Sequence, residues 1–219
     1  MSDLSSLKEE LLGAIALSGE DGTYSDDAYE KVQAAITSLV PHTPTPRPVD
    51  EQDFVSSSWG TLFAQFGPRH TAGKPIEHVS NLKILSWATF PDVHIRMKSL
   101  EQEIDHNTRA YNNLHYITPE NGDLAAVYRV FGEYTLDEDE PQRYKVRFYK
   151  ADIIGQNGES AEEIRTAFGM DADQPLEVEL KAPKLHSDVV YVDSDIRINY
   201  GSVGGIYVLN RLSTPMQSV

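Results

Sequence analysis

From Phe54 onward the chain reads as a succession of short runs rich in β-branched and aromatic residues, with turn residues between them about every ten positions. No other feature constrains the fold as much, because strands joined by links of hairpin size pair antiparallel with their neighbours in sequence. Strands are expected near Trp59 to Phe66, Asn81 to Ala88, Val93 to Asp105, Arg109 to Thr118, Leu124 to Leu136, Gln142 to Asp152, Leu176 to Lys181, Val189 to Val192, Ile196 to Tyr200 and Gly205 to Leu212. Hairpin-sized links fall at His106 to Thr108, Glu120 to Asp123, Asp137 to Pro141, Asp193 to Asp195 and Gly201 to Gly204. One helical insertion interrupts the series at Ser160 to Phe168, where Ser160 and Glu163 form a capping box and Gly169 supplies a left-handed stop.

Alternation along a strand shows what each face meets. In Leu124 to Leu136 one face carries Leu124, Ala126, Tyr128, Val130, Tyr134 and Leu136, and the other Ala125, Val127, Arg129, Phe131, Glu133 and Thr135. Neither face is cleanly polar, which fits a barrel. About eight to ten strands in meander order close at a diameter that holds one small molecule or is filled by the barrel's own side chains.

The segment before the strands has helical periodicity. Leu4, Leu7, Leu11 and Ile15 share one stripe, with Ser6 and Glu9 spaced as a capping box. After a turn at Gly19 to Ser25, Asp27 and Glu30 offer a second start, and Tyr29, Val32, Ile36 and Leu39 recur on one face. Pro41, Pro44, Pro46 and Pro48 then fix φ and remove backbone donors, which predicts a stiff, extended spacer. The expected organisation is a helical segment over 1–40, a proline-rich spacer over 41–53, the barrel over 54–212 and a tail over 213–219.

Charge and composition remove several function classes. With 34 acidic and 19 basic residues the formal charge is −15, so a nucleic-acid backbone is repelled over most of the surface. Cysteine is absent, which excludes disulfides, thiolate metal sites and a thiol nucleophile. The apolar run Leu11 to Leu17 contains Gly13 and falls far short of the ~20 residues that span a bilayer. A soluble cytoplasmic protein with no transmembrane segment or leader is expected.

Chemistry-bearing motifs are few. His42, His70, His78, His94, His106, His115 and His186 include no HExxH or HxH pair, so no metal site is expected. Gly201 to Gly205 lacks the lysine of a phosphate loop and joins two strands, and no serine lies in a GxSxG elbow. Asp193, Ser194 and Asp195 read as a turn. No catalytic residue and no cofactor is expected. Arg197 stands out because it follows Ile196 in an otherwise apolar strand, and an inward arginine needs hydrogen-bond partners or a stacking surface such as Trp59.

Three stretches carry a family resemblance. His42-Thr43-Pro44-Thr45-Pro46 before Trp59-Gly60-Thr61-Leu62-Phe63, then Gln102-Glu103-Ile104-Asp105 with Asn113-Leu114, resemble segments of the plastid lipid-associated protein family, or fibrillins. The most specific stretch is Tyr191 to Ile198 followed by Gly204 to Leu209, similar to the family's closing YLDxDLRI and G-x-VFVL signature. Ser57 stands where the family usually has glycine, and His42 where it has asparagine. No transit peptide is visible, as in a bacterial member.

The resemblance implies a mainly β protein, a lipocalin-like antiparallel β-barrel with an N-terminal helical segment. It also implies non-catalytic binding, storage or transport of a hydrophobic small molecule of lipid, isoprenoid, carotenoid or quinone type, with peripheral association with lipid bodies or membranes. Candidate ligand-wall residues are Trp59, Phe63, Phe131, Tyr149, Tyr191 and Tyr207, with Arg197 either closing the barrel base against Trp59 or meeting a polar ligand head. The alternative is an interaction module that docks on a partner or a lipid surface while the barrel interior is filled.

Overall fold

In the computed structural model of the chain, which describes residues 3–19, 24–65 and 78–212, the strands close on themselves. In chain order they are β1 (Ser57–Gln65), β2 (His78–Asn81), β3 (His94–Asp105), β4 (Ala110–Pro119), β5 (Ala126–Leu136), β6 (Arg143–Gly155), β7 (Glu177–Glu179), β8 (Leu185–Val192), β9 (Ile196–Gly201) and β10 (Ile206–Arg211). Eight of them form an antiparallel barrel in the order β1-β10-β9-β8-β6-β5-β4-β3, as expected for a mainly β meander. Closure falls on β1, whose Ser57 to Gly60 pair with Ile104 to Glu101 of β3 while Trp59 to Gln65 pair with β10. Residues 20–23 of the expected turn, Phe66 at the end of the first expected strand and the tail over 213–219 lie outside the described residues.

The wall is uneven in height. β6 pairs with β8 only through Arg143 to Val146, and its upper part pairs with the short strand β7 instead. In the same way the first residues of β3 pair with β2, and only its last part with β1. The barrel is therefore tall along β3 to β6 and low along β8 to β1. Two strand expectations change here. The Asn81 to Ala88 strand stops at Asn81, whose side chain accepts from the Lys83 amide and starts a one-turn helix, α4 (Leu82–Leu85). Only the middle of Leu176 to Lys181 pairs as a strand.

Two helices, α1 (Leu4–Ile15) and α2 (Asp26–Leu39), cover the low side from outside. The Ser6–Glu9 box is not used, because α1 already begins at Leu4; Ser25, two residues ahead of the expected Asp27, caps α2 by accepting from the Ala28 amide. Leu7, Leu11, Tyr29, Val32, Ile36 and Leu39 bury against Phe63, Tyr191, Ile196, Ile198 and Val208. This outer core is separate from the one inside the barrel, which holds Trp59, Tyr111, Tyr128, Tyr134, Tyr144, Phe148 and Leu209.

The proline-rich segment closes the barrel floor. A 3-10 turn over Val40–His42 leads to Val49, which is buried with the interior residues, and to α3 (Gln52–Val55). The Tyr144 hydroxyl donates to the Pro48 carbonyl at 2.8 Å, the Trp59 indole N–H donates to the Val55 carbonyl at 2.8 Å, and the Tyr134 hydroxyl donates to Gln52 Oε1 at 3.1 Å. Each bond joins a lumen side chain to the segment beneath it. In the helical insertion, Ser160 and Glu163 make the expected reciprocal box at the start of α5 (Ala161–Ala167), and Gly169 is left-handed at φ 64°.

Candidate ligand-binding site

Strand parity sets which side chains enter the lumen, and bulges reset that parity. On β1 the register shifts between Thr61 and Phe63, so Trp59 and Thr61 face inward while Phe63 faces the helices. Phe63 there meets Tyr24 edge-on at 5.4 Å and Tyr29 at 6.5 Å. A second shift between Val189 and Tyr191 turns Tyr191 outward and Val192 inward. The Tyr191 hydroxyl donates to Asp193 at 2.6 Å, so it belongs to the helix seat and not to the ligand wall.

Phe131 and Tyr149 also leave the wall. Phe131 pairs with Lys150 on the outer face, between the Lys150 ammonium at 4.7 Å and the Arg129 guanidinium at 5.2 Å. Tyr149 is the extra residue of a shift on β6 and is 41% exposed. Of the seven expected site residues, Trp59, Arg197 and Tyr207 reach the interior.

Arg197 has no exposed surface, and its guanidinium lies 5.0 Å from the Trp59 ring centroid. Arg211, at the end of β10, covers the same indole at 4.4 Å and donates to the carbonyls of Ser194 and Phe54. The indole is thus shared by Arg197 and a second arginine, one tied to backbone at the floor. Arg197 Nη2 donates to Gln102 Oε1, which also accepts from the Tyr111 hydroxyl at 3.4 Å. Arg197 Nε and Nη1 have no hydrogen-bond partner among the described residues. Burial lowers the Arg197 pKa to about 10, which leaves it a cation at neutral pH.

Other inward polar atoms share this condition. Six of the eight buried side-chain atoms without a hydrogen bond among the described residues belong to Thr61, Asn113, Ser187, Arg197 and Asn199, all placed by register on the lumen side. Such atoms are rare in native proteins, and each costs about 1–3 kcal/mol. Ser187, Asn199 and Arg197 form a lane down β8 and β9 from the low rim to the floor. Arg197 and Asn199 alternate with Ile196 and Ile198, a pattern that could have marked Asn199 from sequence.

Beside this lane, starting at Tyr144, which pairs with Ser187, runs an aromatic wall. Tyr111 meets Phe148 edge-on at 6.3 Å, and Tyr134 meets Tyr144 at 4.9 Å. Gly132 makes room for Phe148, since a Cβ there would lie 2.6 Å from the Tyr111 carbonyl and 2.7 Å from the Phe148 ring. Burial raises the pKa of Tyr128, Tyr144 and Tyr207, so their rings remain neutral. At the tall rim, the segment after α4 brings Trp87 onto Phe148 in a stacked contact at 5.7 Å and Phe90 onto Tyr128 at 5.8 Å. Trp87 and Ala88 are both left-handed, at φ 49° and 62°, a conformation costing about 1–3 kcal/mol per residue.

Two concavities, about 620 Å³ and 500 Å³, lie outside the lumen. One is formed by α5 with Leu124 and Glu159, the other by Arg96, Lys98, Thr118 and the link after β4. Among the described residues no group of histidine and carboxylate side chains is placed to hold a metal ion, and no helix is long and apolar enough to cross a membrane.

A closed eight-stranded meander with helices outside and a floor bonded to its own indole and tyrosines defines a lipocalin-like protein. The chain belongs to the PAP_fibrillin family, whose family model matches residues 5–210. Comparison with curated proteins and with solved structures gives no match.

Proposed function

We propose that the protein binds, stores or carries a hydrophobic small molecule of lipid, isoprenoid, carotenoid or quinone type within the barrel, without transforming it. The observation that carries this reading is the pairing of an aromatic wall with inward polar atoms that lack partners. Burial of apolar ligand area contributes about 25 cal/mol per Å², and a few polar contacts orient the molecule. Membership of a lipid-associated family supports the same reading. Entry requires displacement of Trp87 from Phe148, and the left-handed backbone at Trp87 and Ala88 favours that segment as the part that moves.

Retinol, an apolar fluorescent probe, tests the proposal. Saturable energy transfer from tryptophan to retinol, with stoichiometry near one, is the expected result; absence of saturable transfer would sink it. A second reading, docking on a lipid surface with the lumen filled, draws on Ile84 and Val203. Ile84, 76% exposed, lies on α4, and Val203, 63% exposed, on the link between β9 and β10, both at the same end of the barrel. Cosedimentation with phosphatidylcholine vesicles that is lost in the double variant Ile84→Ser, Val203→Ser, without retinol binding, would favour it.

A further inference from the structure

We propose that the lumen takes an amphiphile with a carboxylate head, held head-down on the Arg197 guanidinium with its tail along the aromatic wall. The inference rests on the reading of the lumen as a ligand site and names the chemical class of the ligand. It starts from a charge balance. Arg197 is completely buried, yet no carboxylate among the described residues pairs with it. The buried acid nearest in sequence, Asp193, is committed to Lys8, to the Tyr191 hydroxyl and to the amides of Asp195 and Ile196. The other cation at the floor, Arg211, adds positive charge beside the same indole.

Arginine carries five N–H donors arranged so that two parallel hydrogens can meet both oxygens of a carboxylate. Gln102 takes one hydrogen of Nη2, while those of Nε and Nη1 are unpartnered. Whichever Nη2 hydrogen Gln102 uses, one complete two-hydrogen fork remains. A neutral carbonyl would satisfy a donor and leave the buried charge uncompensated; a carboxylate does both. Above Arg197, Asn199 and Ser187 extend the polar lane toward the low rim, each with an unpartnered oxygen. The tail then lies against Tyr111 and Phe148, where Trp87 now stacks. The overall charge of −15 opposes this ligand only at long range, and salt screens it beyond about 8 Å.

The test is displacement of retinol from the full chain by oleate, methyl oleate and oleyl alcohol, in the wild type and in Arg197→Met and Arg197→Lys. Oleate should bind at least tenfold more tightly than methyl oleate to the wild type, about 1.4 kcal/mol. Arg197→Met should bring that ratio to about one, and Arg197→Lys should retain part of it. Equal affinity for acid and ester in the wild type overturns the carboxylate assignment even if Arg197→Met does not fold, and so does a preference that survives in Arg197→Met. In both cases retinol still binds and the carrier reading stands; failure of retinol and all three lipids to bind ends both.

Discussion

Under the helices, the Tyr191 hydroxyl is held by Asp193, which is held in turn by Lys8 at 2.8 Å, and the Tyr29 hydroxyl donates to Gln65 at 2.7 Å. On the other face of the same strands, Arg197, Asn199 and Ser187 are as deeply buried but keep atoms with no partner. The contrast separates two uses of one sheet. The outer core resembles an ordinary domain interior, where buried polar groups are bonded because an unmade bond is costly. In the lumen, no protein group among the described residues makes those bonds.

Substitutions can break or sharpen this contrast. The largest expected effect is Trp59→Ala, which removes the floor bond to Val55 and the surface shared by Arg197 and Arg211; it should cost about 3–5 kcal/mol in urea denaturation. Tyr191→Phe deletes one bond to a carboxylate in the outer core and should cost about 1.5–3 kcal/mol, with retinol binding unchanged.

Acid gives an intermediate effect. Burial works to raise the Asp193 pKa, but the bonds from Lys8, Tyr191 and two backbone amides outweigh it and hold it below the usual value. A depressed carboxylate stabilises the fold above its unfolded pKa of about 3.9, and this contribution fades as pH falls through the folded value. Amide exchange in α1 should therefore accelerate below about pH 4 before exchange in β4 and β5 does. Lys8 has the opposite sign. Its bonds to Asp193 and Asp195 overcome burial and raise its pKa, so its contribution persists below about 10.4 and is lost only as pH rises through the folded value.

The smallest effect is expected for Arg197→Met in the ligand-free chain. Replacing a buried charge that lacks an ionic partner with an apolar side chain of similar length should leave the stability measured in urea within about 1 kcal/mol of wild type, or raise it. A loss as large as that of Trp59→Ala would show that both cores handle polar groups alike.

Much of this arrangement was readable from the residues. The meander, the inward Trp59 and Arg197 and the α5 box follow from two-residue alternation and from Ser160 and Glu163. What escaped was local. From alternation alone, Phe63 belongs with Trp59, and only the shift at Leu62 sends it to the other face; the shift at Val190 does the same to Tyr191. Neither position has a glycine or proline to announce it. Trp87 was hidden differently, since Ile84 to Trp87 reads as strand until Asn81 caps a helical turn.

The seat of the helices has a consequence for how the chain is made. Four of its five strand residues, Tyr191, Ile196, Ile198 and Val208, come near the end of the chain, and Lys8 finds its partners 185 and 187 positions downstream. A ribosome releases α1 and α2 long before it has built most of what they rest on. Through most of synthesis their oily stripes stand bare, and the burden of keeping the nascent chain from sticking to its neighbours falls on whatever attends the exit tunnel.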